Sequence, residues 1–129
     1  MSIQVSLVTP YKPYYEGSAE SVILPLYDGL AGILKNHVDM IAKLGSGKLI
    51  IDTKEEKNIF FIDGGFLEIS KNKVVILATE AFKKDELNIV DVEKQYSEVL
   101  KIIPKNDEQI EDKNNKLQSL RNKIKFIKS

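Results

Sequence analysis

Residues 73–104 read KVVILATEAFKKDELNIVDVEKQYSEVLKIIP, and the period of the apolar residues changes inside that stretch. Lys73 to Ala78 is a short aliphatic run of the kind that forms a strand. From Val92 the spacing is helical. Val92, Tyr96, Val99, Leu100 and Ile103 fall at i, i+4, i+7, i+8 and i+11, one stripe of an amphipathic helix. Asn88 or Asp91 can cap its start, because a short side-chain acceptor satisfies the free amides of the first turn. Pro104 stops it, lacking an N–H and clashing with the preceding turn. The change near residue 88 therefore divides the chain into residues 1–87 and 88–129.

Upstream the period is two or the runs are short. Ile3, Val5 and Leu7 alternate with Gln4 and Ser6. Ser21 to Leu24, Ile33 to Leu34, Lys48 to Ile51, Asn58 to Ile62 and Phe66 to Ser70 also read as strands. Turn signals separate them: Thr9-Pro10, Asp28-Gly29, Gly45-Ser46-Gly47, Asp52 to Lys57, Gly64-Gly65 and Lys71-Asn72. Many short strands at this spacing predict a sandwich or barrel. No helical run lies between them, which argues against parallel crossover units. The expected fold is an antiparallel β-sandwich followed by an antiparallel two-helix hairpin.

Downstream, Lys105-Asn106-Asp107 reads as a tight turn. Ile110, Leu117, Leu120, Ile124 and Ile127 then form the seam of a helix that packs on another helix, with Lys113 at the remaining seam position, where it weakens that end. A hairpin of this size cannot bury both stripes by itself. It must lean on the sandwich or on something else, and an element with two resting places can switch. Its charge is uneven. Asp107, Glu108, Glu111 and Asp112 open the second helix, while Lys113, Lys116, Arg121, Lys123, Lys125 and Lys128 follow with no acidic residue. Two readings stand side by side: complementation of the helix dipole, or a basic surface that docks on an acidic partner.

Bulk composition excludes several classes. The 129 residues balance 19 Lys and Arg against 19 Asp and Glu, so strong global attraction to nucleic acid or acidic lipid is not expected. No apolar run approaches ~20 residues, so no direct membrane insertion is expected. With no cysteine there is no disulfide framework and no thiolate site. The N-terminus lacks a signal-peptide pattern, which points to a cytosol-like compartment. His37 is the single histidine, so a multi-histidine metal site is excluded. Gly45-Ser46-Gly47-Lys48 looks superficially like a phosphate loop, but Ala42 and Leu49 stand where that motif needs Gly and Ser or Thr. The carboxylates are scattered. These residues describe a protein that is not an enzyme and needs no cofactor or metal.

Blocks of this sequence resemble the epsilon subunit family of F-type ATP synthases: Ala19-Glu20-Ser21-Val22-Ile23-Leu24-Pro25; then Gly32-Ile33-Leu34, His37, Leu44 and Gly47-Lys48-Leu49-Ile50; then Gly64-Gly65-Phe66-Leu67-Glu68-Ile69, Asn72-Lys73-Val74 and Ile76-Leu77-Ala78. They agree in order and spacing over about residues 1–80, and the hairpin agrees in architecture only. The resemblance implies a non-catalytic rotor subunit of the central stalk, which couples ion translocation to ATP synthesis. Its implied partners are the gamma subunit, the membrane rotor ring of c subunits and the catalytic alpha and beta subunits. The C-terminal helices would fold against the sandwich or extend and inhibit ATP hydrolysis. The implied place is peripheral, at the cytoplasmic face of a bacterial inner membrane.

The same resemblance marks residues. Leu30, Gly32 and His37 would face the rotor ring and gamma; Leu30 stands where many members carry an acidic residue, and Lys35-Asn36 replaces Pro-Gly before the histidine. Leu30 is expected either in the ring interface or tucked under the sandwich. Lys113, Lys116, Arg121, Lys123 and Lys125 would meet the acidic region of the catalytic head. Some bacterial members bind ATP through a motif on the first helix. Its counterpart here is Val90-Asp91-Val92-Glu93-Lys94-Gln95, in which Lys94 keeps the charge but loses the planar fork of Arg. Asp91, Lys94, Arg121 and Lys125 are the candidates for ATP as a regulatory ligand. A free-standing sandwich that binds a small ligand under a helical lid, or an ATP-sensing regulator, are the alternatives.

Overall fold

Alternation of aliphatic and polar residues sets the first strand. β1 (Ile3–Val8) buries Ile3, Val5 and Leu7 and exposes Gln4. The computed structural model describes residues 3–27 and 39–129, with backbone alone for 29–34. The chain forms two compact units, Met1–Lys83 and Lys84–Ser129.

In the first unit follow β2 (Pro13–Ala19), β3 (Ser21–Leu26), β4 (Gly29–Leu34), β5 (Met40–Lys43), β6 (Ser46–Asp52), β7 (Lys57–Ser70) and β8 (Lys73–Phe82). Their order is β2-β1-β8-β7-β6-β3-β4, with β5 pairing on β7. The pairs are antiparallel as expected except one. β1 and β8 run parallel, from Gln4 opposite Lys73 to Val8 opposite Leu77. The first and last strands meet side by side, so the pair needs no crossover helix.

Two glycine stretches read from sequence as turns are not turns. β7 runs unbroken through Gly64-Gly65, and its register with β8 is the same on both sides, Phe61 opposite Phe82 and Ile69 opposite Val74. β5 and β6 likewise follow one register along β7, from Met40 opposite Ile69 to Asp52 opposite Lys57. Between them Leu44 N–H donates to the Gly65 carbonyl at 2.9 Å, and Gly64 N–H to the Gly45 carbonyl at 3.0 Å.

What changes at this rung is the inward face. β7 buries Phe60 and Ile62 before the glycines and Leu67 and Ile69 after them. β8 buries Val74, Ile76 and Ala78, then Ala81; the β5–β6 run buries Leu44, then Leu49 and Ile51. Strict alternation would put each later set on the outside. The neighbouring strands thus turn a corner together, and one continuous sheet becomes two facing layers around a shared core. Glycine is needed there. Gly65 has φ +116, and a Cβ on it would collide with the Leu77 carbonyl oxygen; a Cβ on Gly45 would lie 2.7 Å from the Leu26 carbonyl oxygen.

β2 and β5 escape the sequence reading. β2 is an edge strand that opens on Pro13 and carries Glu16, Gly17 and Ser18; the edge position tolerates the missing donor. β5 is 4 residues long and has no alternation of its own to detect. Threonines staple two of the reversals. Thr9 Oγ1 accepts from Lys12 N–H at 3.2 Å, and Thr53 Oγ1 from Glu56 N–H at 3.1 Å. Lys71 and Asn72, at φ 47 and 63, make the mirror-image two-residue turn that suits twisted strands.

The second unit opens with a 3-10 turn at Lys84–Glu86, then α1 (Ile89–Leu100) and α2 (Asp107–Lys128). Asn88, rather than Asp91, caps α1: its Oδ1 accepts from Val90 N–H at 2.9 Å and Asp91 N–H at 3.3 Å. α1 ends at Leu100, short of Ile103 and Pro104, so Ile103 lies outside the helical stripe and is 83% exposed. Pro104 accounts for the early stop, since it has no N–H for the Leu100 carbonyl and disfavours helix at Ile103. Lys113 Nζ, from the facing helix, donates instead to the freed carbonyls of Leu100 at 3.0 Å and Ile102 at 2.8 Å. Lys113 therefore secures the end it was expected to weaken. On α2, Leu117 and Leu120 are buried as the seam predicts, and Phe126, which the seam omitted, is buried too.

Candidate functional site

Residues opposed across a pleated sheet share a face, so every second pair lies on the outer face of its layer, and on one layer that face is unusually apolar. Lys43 stands opposite Phe66, Phe66 opposite Leu77, and Leu77 opposite Val8, a row across β5, β7, β8 and β1. Phe66 is 57% and Leu77 51% exposed. Two residues along, Ile41 on the edge strand is 76% exposed. The bare backbone of Gly64 and Gly65 leaves a groove of about 630 Å³ beside this row, closed on its other side by Val8 and Pro10. Lys43 bends over the Tyr27 ring, 4.5 Å from its centroid, and rims the patch with positive charge. A second, smaller row crosses the other layer: Ile23 opposite Ile50, and Ile50 opposite Ile59.

Surfaces of this kind bind partners rather than turn over substrates. Contiguous exposed aliphatic and aromatic side chains cost solubility and persist where something covers them. Among the described residues no group of His, Cys, Asp and Glu is placed to hold a metal ion. No helix among them is long and apolar enough to cross a membrane.

In the second unit the basic residues have different employments. Lys113 is engaged with the end of α1, as above. Arg121 Nε donates to the Tyr96 hydroxyl at 3.3 Å, and its Nη1 to Gln118 Oε1 at 2.8 Å. The Tyr96 bond ties α2 to α1, and with Lys113 at Leu100 it shows that the helices run antiparallel. Lys116 and Lys125 are exposed, and Lys123 is half-buried. Asp91 and Lys94 are exposed on α1.

Comparison with known proteins decides what carries these surfaces. Residues 2–84 match the family model described as ATP synthase, Delta/Epsilon chain, beta-sandwich domain. The chain belongs to that family. An ATP synthase epsilon chain of the chloroplast of Tetradesmus obliquus is 49% identical over 81 residues, 63% of this chain and 60% of that one. The epsilon chain of Leptospira borgpetersenii is 35% identical over 102 residues, covering 79% of this chain and 80% of its own. The match thus spans about three-fifths of one relative and four-fifths of the other. A chain in the Euglena gracilis mitochondrial ATP synthase (OSCP/F1/c-ring) superposes with TM-score 0.84 at 17% identity, covering 99% of this chain and 82% of that one. One in the Tetrahymena thermophila central stalk and c-ring gives 0.77 at 18%, covering 98% and 97%. At that identity the likeness establishes the fold.

Epsilon chains are non-catalytic stalk subunits, and the expectations of a rotor-stalk subunit and of a chain that is not an enzyme hold for this family member. Leu30 and Gly32 lie in β4, opposite Pro25 and Ile23. His37 lies outside the described residues. What sequence reading missed on this chain is the Phe66–Leu77 row. Its signal was available: Phe66 and Leu77 break the alternation of the strands that bear them, since Leu67 and Ile76 are the inward neighbours.

Proposed function

We propose that this epsilon chain docks through its sandwich on the gamma subunit and the rotor ring of c subunits. In that position it couples ion translocation to ATP synthesis, while its hairpin inhibits hydrolysis by the catalytic alpha and beta subunits. The observation that carries the docking reading is the exposed Lys43–Phe66–Leu77–Val8 row, with its exposed aromatic and leucine side by side on one layer. A protein partner excludes water from such a row, and each buried large aliphatic or aromatic side chain contributes roughly 1.5–3 kcal/mol.

The brake reading rests on the hairpin's limited core and its basic second helix. Exposed ion pairs are worth ~0–1 kcal/mol each, whereas a shift from 1:99 to 99:1 takes about 5.5 kcal/mol of differential binding. Charge must therefore act together with a change of apolar partner by residues such as Leu117 and Leu120. The membrane-peripheral site follows from the same partners, and the cytoplasmic face of a bacterial inner membrane is the proposed location. Truncation after Leu87, followed by reconstitution with the remaining subunits, tests both halves. Gamma binding and coupling should persist and ATP hydrolysis should rise several-fold. Unchanged hydrolysis under all nucleotide conditions removes the brake and leaves the docking role.

For ATP as a ligand of the isolated chain the geometry is unfavourable. The Arg121 guanidinium already serves Tyr96 and Gln118, and Lys94 offers a point charge where bidentate recognition wants a planar fork. The proposed hairpin works without bound nucleotide and without a cofactor. Titration calorimetry of the chain with millimolar ATP should show no binding heat.

A further inference from the structure

The bend between α1 and α2 is set by groups on both of its sides. The last backbone bonds of α1 tighten to a three-residue reach: Lys101 N–H donates to the Glu98 carbonyl at 3.2 Å and Ile102 N–H to the Val99 carbonyl at 3.1 Å. Next to them the carbonyls of Leu100 and Ile102 accept from Lys113 Nζ. On the far side Asn106 Oδ1 accepts from Gln109 N–H at 2.8 Å, and Gln109 Oε1 accepts from Lys105 N–H at 2.8 Å, a reciprocal cap that starts α2. Asn106 itself is extended, at φ -156 and ψ 175.

A continuous helix through the bend would need these bonds remade. The Leu100 carbonyl would turn to residue 104, which is Pro and has no N–H. The Pro104 ring would clash with that same carbonyl, and it disfavours helical backbone at Ile103. The Lys101 carbonyl would need Lys105 N–H, which Gln109 holds. Asn106 would give up its cap. Proline inside a helix is by itself enough to disfavour the straight form roughly a hundredfold. Swinging α2 about the bend breaks only what joins the two helices.

What joins them is unevenly placed. Arg121 meets Tyr96 along the body of the pair, whereas Lys113 is about two turns nearer the bend. Half-buried Lys113 reaches back 13 residues to Leu100 and 11 to Ile102. Those groups coincide only while α2 lies back along α1. The lysine therefore serves both carbonyls in a closed hairpin and neither in an open one.

We propose that residues 101–106 form a permanent elbow and that Lys113 is the clasp that holds it shut. On opening, α2 swings as a separate arm and does not join α1 in one helix. The proposal deepens the brake reading and rests on it for the opening itself; the elbow governs the form that the open hairpin takes.

The chain has no cysteine, so Glu93→Cys on α1 and Lys125→Cys on α2, both at exposed positions, accept spin labels specifically. Their separation by double electron–electron resonance reports closure in the assembled ATP synthase complex and in the free full chain. Hydrogen exchange of residues 103–106 reports helix in the elbow. In the otherwise wild-type chain that stretch should stay unprotected in every preparation. Lys113→Met should raise the open population several-fold without protecting residues 103–106, and Lys113→Arg should restore closure. Pro104→Ala with Asn106→Ala should protect that stretch once the hairpin opens. Helical protection of residues 103–106 with Pro104 and Asn106 in place overturns the elbow, and so does a doubly substituted chain as unprotected as wild type. Equal open populations with Lys113 and with Met at that position overturn the clasp. A hairpin closed in every wild-type preparation but opened by Lys113→Met supports the clasp and removes the brake.

Discussion

The sandwich and the hairpin are held by different physics, and the contrast explains their division of labour. The sandwich owes its order to pairings between residues far apart in sequence: β1 beside β8, and β5–β6 along the whole of β7. Its core gathers buried side chains from the whole length of the sheet, and its corner depends on glycines on neighbouring strands acting at one rung. The hairpin is made of local ladders with a cap at each start, Asn88 and Asn106, and a Lys113 brace at the connection. Buried side chains in it are few: Val92, Leu117, Leu120 and Phe126. A unit built from cooperative long-range pairing suits a fixed anchor on the stalk. A unit built from local segments can move or repack at small cost, because little of its order depends on distant contacts.

The most severe way to break this contrast is Gly65→Val. The new side chain meets backbone and must adopt φ +116, so a loss of about 4 kcal/mol or more is expected, read as a collapse of the urea midpoint of the full chain. A Gly65 variant of near wild-type stability would deny the corner its importance. Next is Leu67→Ala, which deletes a fully buried side chain; about 2–5 kcal/mol should be lost with the fold retained. Phe66→Ser with Leu77→Ser should leave that midpoint nearly unchanged. It should weaken binding to the gamma subunit by roughly tenfold or more, measured by surface plasmon resonance, and a preserved affinity would move the dock elsewhere.

On the hairpin the effects should be smaller and confined. Asn106→Ala removes a side-chain acceptor at the start of α2 and should cost about 1 kcal/mol. Hydrogen exchange should speed in α2 and not in β7, and acceleration in both would show the units to be coupled. Lys113→Met should cost about 0.5–1.5 kcal/mol by freeing the Leu100 and Ile102 carbonyls. Lys116→Met, at an exposed site, should be silent. Equal effects at the two lysines would make the brace a surface contact of no consequence.

Legibility from sequence followed the range of the interaction. The switch to helical spacing after residue 88 and the Leu117–Leu120 seam were readable because a helix repeats its pattern within a few residues. The strand at Ile3–Val8 was readable for the same reason. β2 was not, since its polar edge carries no core-facing rhythm, and the helical stripe was carried to Ile103 although Pro104 deprives the Leu100 carbonyl of its donor and ends α1 there. Of the candidate surfaces, Arg121 was marked as a docking or phosphate group, yet its partners Tyr96 and Gln118 emerge only when α1 and α2 are laid side by side. The Phe66 and Leu77 row went unnoticed because an exposed aromatic next to buried neighbours looks, in one dimension, like more core.

By itself the sequence determined that a β-rich segment precedes two helices, where most of those elements lie, and to which family the chain is similar. Backbone propensity, capping and alternation act between near neighbours, and they are written in the order of residues. Only the tertiary structure decided that Gly64-Gly65 bends one strand instead of joining two, that the first and last strands run parallel, and that Lys113 braces the end of α1. Each of those outcomes depends on what the fold brings alongside a residue, and spacing along the chain does not encode that.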